Sequence, residues 1–254
     1  MKIALTGAAT GIGAATAAKF KAQGHHVTAF DIAEPAAHID RWIPIDLGDP
    51  SSIAQAVAQA DGPYDALINN AGLPPREGLQ EKVLQVNYFG LTRFLNAMLD
   101  HLADGAAIVN TASKAGAKWR ENLAQVKALR ALDVADLPAF IASENIDYVR
   151  AYDLSKEALI VDTIAQTEAM IARGLRMNTV SPAAVTTDIL KDFAAAFGDR
   201  MVKNVARVGR PGQAQEVAEV IAFLAAPESG WIKGQDIVID GGMTALAVSG
   251  ALDL

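Results

Sequence analysis

Ile3-Ala4-Leu5-Thr6-Gly7-Ala8-Ala9-Thr10-Gly11-Ile12-Gly13 opens the chain and decides its fold. A short apolar strand runs into a glycine-rich turn, and Ala14 to Gln23 continue in a helical pattern. Gly7 allows a tight turn, Gly11 lets the backbone approach a pyrophosphate, and Gly13 lets helix and strand pack closely. The amides at the helix start then face the anion. The same spacing suits a plain flexible turn. Its place between strand and helix favours a dinucleotide site formed by Gly7, Thr10, Gly11, Ile12 and Gly13.

Outward from this unit the pattern repeats. His26-Val27-Thr28-Ala29-Phe30 reads as a second strand ending in Asp31, 18 residues beyond Gly13. A carboxylate there accepts hydrogen bonds from an adenosine ribose and repels a 2′-phosphate. No Arg or Lys in the glycine loop or in Ile32-Ala33-Glu34 offers to hold that phosphate, so NAD is favoured over NADP. The stretch Glu34–Arg41 is too short for a full crossover helix. Trp42–Ile45 reads as a third strand, placed at an edge by Pro44. Asp46 and Leu47 follow and can touch an adenine. Ser51 or Ser52 is expected to cap a helix through Ala60. Ala66-Leu67-Ile68 is the next strand, and Asn69-Asn70-Ala71-Gly72 ends it where the backbone can approach a cofactor. Gln80 to His101 reads as one long helix containing Asn87, an amide that must be bonded among apolar neighbours. Ala106–Asn110 is a fifth strand, with Ser113 just past its end. Strand ends of parallel sheets are where ligands bind.

Tyr152-Asp153-Leu154-Ser155-Lys156 sets Tyr152 and Lys156 on one helix face, about 6 Å apart. A lysine so placed can lower the phenol pKa and poise it as a general acid–base at a carbonyl or alcohol oxygen. Taken alone, such a pair is more often packing with a solvated tip. The helix is expected to run to Arg173, followed by a strand through Val180. An amphipathic helix over Asp188–Phe197, within a stretch of about 188–205, is a candidate lid. A helix after Gln213 or Gln215 reaches Ala225, and Asp236–Ile239 is the last strand. Strand and helix alternate about seven times. That predicts a single α/β domain over 1–254, a Rossmann-type doubly wound parallel sheet. A helical insert at about 117–149 precedes the tyrosine and is expected to pack outside the substrate side.

Composition narrows the partners. Of 254 residues, 51% are apolar and 20% charged, with a net charge of −7 and no long basic run, so nucleic acid and anionic membrane are poor partners. No cysteine is present, which removes disulfides and thiolate metal sites, and His25, His26, His38 and His101 have no zinc-like spacing. With no ~20-residue apolar span, a cytoplasmic location is expected.

Thr6–Gly13, Asn69-Asn70-Ala71-Gly72, Val86-Asn87-Tyr88-Phe89-Gly90, Ser113, Tyr152-x-x-x-Lys156 and Asp240-Gly241-Gly242, in this order, resemble the short-chain dehydrogenase/reductase family over residues 2 to about 245. The resemblance implies that Tyr152 is the acid–base and that Ser113 polarises the substrate oxygen. It implies that Lys156 holds the nicotinamide ribose and lowers the tyrosine pKa, and that Asn87 fixes a water of the proton relay. Pro182, Val185 and Thr187 match the segment that holds the carboxamide. Two departures stand out. Ala183 replaces the family's usual glycine and must avoid positive φ or bear strain. Ser113 and Tyr152 are 39 residues apart, where the family has about a dozen. The insert resembles that of the bacterial 3α-hydroxysteroid dehydrogenase/carbonyl reductase subgroup. Ala117-Lys118-Trp119, Lys156–Val161, Arg176-Met177-Asn178 and Ile221–Leu224 resemble the coniferyl-alcohol dehydrogenase subgroup. The expected activity is NAD-dependent oxidation of a bulky, aromatic alcohol or reduction of its carbonyl product, without a metal. Ser113, Trp119, Tyr152 and Phe193 are placed at the substrate. Alternatives are a hydroxysteroid or cyclic secondary alcohol, or more remotely a non-catalytic NAD-binding regulator. A homo-oligomer, dimer rather than tetramer, is expected because the insert covers part of the family's usual helix-pair interface.

Overall fold

Apolar residues on both faces of every central strand require cover on two sides, and the computed structural model, which describes all 254 residues, supplies it. The chain runs β1 (Lys2–Thr6), α1 (Gly11–Ala22), β2 (His26–Asp31), β3 (Arg41–Pro44), α2 (Pro50–Ala58), β4 (Tyr64–Asn69), α3 (Gln80–Leu84), α4 (Leu91–Met98) and β5 (Leu102–Thr111). It continues through α5 (Leu123–Ala131), α6 (Leu137–Ser143), α7 (Tyr148–Ala165), α8 (Thr167–Ala172), β6 (Arg176–Pro182), β7 (Val185–Thr186), α9 (Leu190–Val208), β8 (Gly212–Gln213), α10 (Ala214–Ala225), β9 (Asp236–Ile239) and α11 (Met243–Ala251). Seven strands form one parallel sheet in the order β3-β2-β1-β4-β5-β6-β9; β7 and β8 pair separately. β3 lies at the edge, as Pro44 requires.

Alternation along the strands divides the core. Ile3 and Leu5 of β1 face α1 and α10, where Phe20, Val217 and Ile221 are buried. Ala4, between them, faces α2 and α4, where Ile53, Phe94 and Met98 are buried. The chain order reverses between β1 and β4, so the crevice at their carboxyl ends is the fold's natural ligand position.

Several local expectations change. Asp49, not a serine, caps α2 by accepting from the Ser51 amide, while Ser52 Oγ accepts from the Asp46 amide. The region Gln80–His101 is not one regular helix: Gln85–Gly90 winds as a π turn between α3 and α4. The Tyr152 helix breaks at Gln166 before α8. Residues 119–122 form turns rather than helix, so α5 starts at Leu123. The candidate lid is two helical stretches: Gly198 leaves helical geometry at φ 49° and ψ −137°, so the first stretch ends at Phe197 as expected and a second runs on to Val208.

The insert docks on the outer side of α7 and α3. Val126, Leu129, Leu137 and Phe140 share one core with Val83, Leu84, Leu154 and Val161. Each fully buried aliphatic or aromatic side chain of this kind contributes about 1.5–3 kcal/mol. Buried polar pins fix the register: Arg130 Nε donates to Asp162 Oδ1 at 2.5 Å, and Asn122 Nδ2 donates to Glu157 Oε1 at 2.6 Å. Arg150 donates to the other Glu157 oxygen at 2.6 Å.

Candidate active site

One cleft of about 700 Å³ runs across the carboxyl ends of β1, β2, β4, β5 and β6. Its first half is the glycine loop and the strand ends beside it. Gly7 and Gly11 hold positive φ, of 70° and 56°. A Cβ on Gly13 would lie 1.7 Å from the Gly7 carbonyl oxygen, so only glycine lets α1 start this close to the loop. Thr10 precedes α1 with no side-chain cap, and Thr10, Gly11 and Ile12 line the cleft. Free amides at an uncapped helix start form an anion site. Asp31 lines the cleft as well. Its Oδ2 accepts from the Ala9 amide at 2.8 Å, and its Oδ1 from the Ala33 amide at 3.1 Å. It thus anchors the glycine loop, a task beyond the one expected, and each oxygen keeps capacity for a further donor. Asp46, Leu47, Asn70, Ala71 and Gly72 complete this half. Asn70 Nδ2 donates to the Gly7 carbonyl at 3.2 Å, tying the two loops together.

The second half gathers Ser113, Tyr152 and Lys156 with Pro182, Val185 and Thr187. Ser113, at the start of the turn after β5, accepts from the Ala115 amide at 3.2 Å, and its hydroxyl stabilises the Tyr152 phenolate. Lys156 Nζ donates to the Thr111 carbonyl at 3.0 Å and lies 5.6 Å from the Tyr152 ring centre. Tyr148, at the start of the same helix, does not reach the cleft. Asn87 is fully buried and does not line the cleft. Its Oδ1 accepts from the Leu73 amide at 2.7 Å and its Nδ2 donates to the Leu73 carbonyl at 2.9 Å. Both amide atoms brace the loop after Gly72, and each keeps one further hydrogen-bonding position.

Known proteins are similar to this chain over nearly its whole length. A family model described as short chain dehydrogenase matches residues 2–125, and one described as enoyl-(acyl carrier protein) reductase matches 136–244. A coniferyl-alcohol dehydrogenase of a Pseudomonas species is 36% identical over 97% of this chain and 98% of its own. A 3-alpha-hydroxysteroid dehydrogenase/carbonyl reductase of Comamonas testosteroni is 33% identical over 96% of each chain. The chain belongs to the short-chain dehydrogenase family. Among solved structures, the 3-alpha-hydroxysteroid dehydrogenase from Pseudomonas sp. B-0831 complexed with NADH superposes with a TM-score of 0.85 at 33% identity, covering 97% of this chain and 98% of that one.

In this short-chain dehydrogenase the Pro182-Ala183 turn avoids strain: Ala183 is not among the positive-φ residues, and its amide donates to the Ile239 carbonyl at 3.0 Å. Burial pushes the Tyr152 phenol well above its ordinary value; the Ser113 hydroxyl opposes this, and the neighbouring Asp153 charge adds to it. Lys156 is pushed down to about 8 by burial. With a value near 8 Lys156 stays mostly charged at neutral pH, and a cation beside the phenol favours its ionised form.

The aromatic wall of this half of the cleft comes from α9 rather than the insert. Phe193 packs edge-on against the Tyr152 ring at 5.3 Å, and Phe197 stacks parallel to Phe193 at 6.3 Å. Trp119 does not line the cleft. It packs against the α7 and insert cores, with the Arg120 guanidinium 4.1 Å from its ring centre. Val126 and Leu129 are likewise core, and only Ala117 and Lys118 of the insert region reach the cleft. Met201, Asn204 and Val205 line it from the candidate lid stretch, and lining residues that the sequence did not signal include Leu73, Pro74 and Met243. They come from distant parts of the chain and share no motif. No helix is long and apolar enough to cross a membrane.

Proposed function

We propose that the protein is an NAD-dependent alcohol dehydrogenase/carbonyl reductase. It would transfer hydride between NAD(H) and a bulky, largely apolar alcohol or its carbonyl product, with an aromatic, coniferyl-type alcohol the preferred class. The observation that carries this reading is the position of the Tyr152 phenol. It stands between a nucleotide cradle on one side and the Phe193–Phe197 wall on the other, with Ser113 and Lys156 beside it.

The cradle fits a dinucleotide on the chain's own geometry. The amides of Thr10, Gly11 and Ile12 suit a pyrophosphate, and the Gly13 contact allows no side chain. Asp31 suits the adenosine ribose. The cleft's cationic residues are Lys82, Lys114, Lys118, Lys156 and Arg200, and none comes from the glycine loop or from Ile32-Ala33 beside Asp31. That supports NAD over NADP.

NAD, when bound, supplies the hydride acceptor at its nicotinamide. The rest is done by side chains. Ser113 Oγ holds the substrate oxygen. Tyr152 takes the hydroxyl proton during oxidation and returns it during reduction. Lys156, fixed to the Thr111 carbonyl, orients toward a ribose and contributes charge when protonated. Burial raises the phenol pKa, so the tyrosinate depends on positive charge beside it, which protonated Lys156 contributes. Asn87 acts as a positioning residue for the loop that borders the cofactor.

A hydroxysteroid is the second reading, favoured by the close superposition on the 3-alpha-hydroxysteroid dehydrogenase. A screen of NAD reduction with aromatic allylic alcohols, hydroxysteroids, cyclic alcohols and polyols separates them. An aromatic alcohol is expected to rank first. A polyol ahead of all apolar alcohols by more than about tenfold would overturn the substrate class.

A further inference from the structure

α9 has no fully buried residue along its length. Two of its side chains bond to other elements: Arg207 donates to the Leu246 carbonyl of α11, and Asp192 accepts from Arg76. The first stretch, Leu190–Phe197, is therefore held by the packing of Phe193 and Phe197 and by one polar tie.

That tie spans the cleft. Arg76 lies in the loop between β4 and α3, far in sequence from Asp192. Its Nε donates to Asp192 Oδ1 at 3.1 Å and its Nη2 donates to Oδ2 at 3.0 Å, the paired geometry that a guanidinium and a carboxylate favour. Neither residue lines the cleft, but their chain neighbours do: Leu73 and Pro74 on one side, Ile189 and Phe193 on the other. The ion pair thus stands at the rim and joins the two walls. The Arg76 loop is a firm anchor, because Asn87 holds both backbone groups of Leu73. The base of the lid sits close to the glycine loop, where a Cβ on Gly11 would lie 3.2 Å from Thr187 Cγ2. Asp192 immediately precedes Phe193, whose ring meets Tyr152 at 5.3 Å, so fixing one places the other.

We infer that Arg76 and Asp192 form a latch across the rim of the cleft, which positions Phe193 against Tyr152 and slows release of the cofactor. This rests on the NAD-dependent alcohol dehydrogenase reading and deepens it. Arg76 is a positioning residue, acting on the site only through Asp192 and the lid. Its side chain is 50% exposed, so the pair is open to water and adds little to the stability of the whole fold. A segment without buried residues opens locally at small cost, and there a small energy counts. An exposed pair of good geometry shifts such a balance between shut and open by about two- to fivefold.

The test is the rate of NADH dissociation, followed by stopped-flow fluorescence. The proteins are the unmodified chain, Arg76→Gln, Asp192→Asn, the double variant of these two, and the swapped pair Arg76→Asp with Asp192→Arg. The rate is expected to rise about two- to fivefold in each single variant and no further in the double variant. It should fall back toward the unmodified value in the swapped pair. Raising the ionic strength from about 0.01 to 1 M shortens the screening length from about 30 to 3 Å, and should speed release from the unmodified protein more than from the double variant. Single effects that add in the double variant, or no recovery in the swapped pair, would overturn the inference. Hydrogen–deuterium exchange on the cofactor-free protein reads the lid without turnover. Amides of Leu190–Phe197 should exchange faster in both single variants and at the unmodified rate in the swapped pair. Unchanged exchange would overturn the latch, and faster exchange with unchanged NADH release would overturn its part in cofactor release. Absence of NADH binding by the unmodified protein would count against the dehydrogenase reading instead, and the exchange comparison would still decide whether the latch holds the lid.

Discussion

Replacing Asp31 with Ala tests the cofactor half of the site, and the structure shows why a simple reading of that variant would mislead. Asp31 has two tasks. It is positioned for the adenosine ribose, and it holds the Ala9 amide at 2.8 Å and the Ala33 amide at 3.1 Å. A hydrogen bond to a charged group is worth about 1.5–3 kcal/mol, so losing the ribose contact should lower kcat/KM for NAD roughly 10- to 150-fold. Losing the Ala9 anchor loosens the glycine loop, which binds either cofactor. Asp31→Ala should therefore weaken NAD strongly and improve NADP only in part. Asp31→Asn keeps an acceptor for the Ala9 amide and removes the charge, so it should gain more NADP activity than Asp31→Ala does. The assay is kcat/KM for NAD and NADP in all three proteins, with Tm measured without cofactor. Asp31→Ala should show the lower Tm of the two variants. Equal kcat/KM for NAD and NADP in the unmodified protein would refute the reasoning. So would an unchanged NAD-to-NADP ratio in both variants.

Phe193→Ala removes the ring packed on Tyr152 and the stack with Phe197; each aromatic contact is worth about 0.5–1.5 kcal/mol beyond its buried area. It should lower kcat/KM for bulky aromatic alcohols more than for small cyclic ones, with NAD affinity by calorimetry retained. Two windows of pH-dependent stability follow from burial. Asp153, raised to about 7, keeps its proton in the folded state where the unfolded chain has lost it, so stability should fall as pH rises from about 4 to 7. The charged groups around it are Asp147, Arg150 and Glu157 on its own helix and Arg200 on α9, and denaturant titrations of Asp153→Leu should show a flatter profile in that window. Lys156, lowered to about 8, sheds its proton in the folded state first, so stability should rise from about pH 8 to 10.5. For assembly, a homodimer through α10 and β9 is expected, since α5 and α6 cover the outer side of α7 while Trp231 is 96% exposed in the loop between α10 and β9. Trp231→Glu should give a monomer by light scattering; a tetramer with α7 buried at an interface would contradict this.

The parts of the site that were legible in the sequence are those whose chemistry is local. A glycine loop, an acid at a strand end and a Tyr–Lys pair four residues apart each need one fixed backbone geometry, so spacing alone places them. The edge position of β3 followed from Pro44 for the same reason. Features settled by tertiary competition were not legible. Apolar periodicity cannot register the π turn around Asn87, because the apolar face persists while one extra residue enters the turn. Trp119 suited a pocket wall by type, yet the core between the insert and α7 offered it more contact. The end of the first lid helix at Phe197 was legible, because Gly198 takes a left-handed φ that breaks the helix, whereas the second stretch to Val208 was not. The unpartnered Oδ1 of Asp153 carried no signal either, because only the packed structure displays it.

The most direct test of the central claim is the initial rate of NADH formation from NAD and an aromatic allylic alcohol, compared between the unmodified protein and Tyr152→Phe. The account predicts steady NADH production by the unmodified protein and a loss of about 10²- to 10⁴-fold in kcat on removing the phenolic oxygen, the range for a general acid–base. NAD binding should persist, because the glycine loop, Asp31 and Lys156 stay in place. A Tyr152→Phe protein that reduces NAD as fast as the unmodified one would contradict the account.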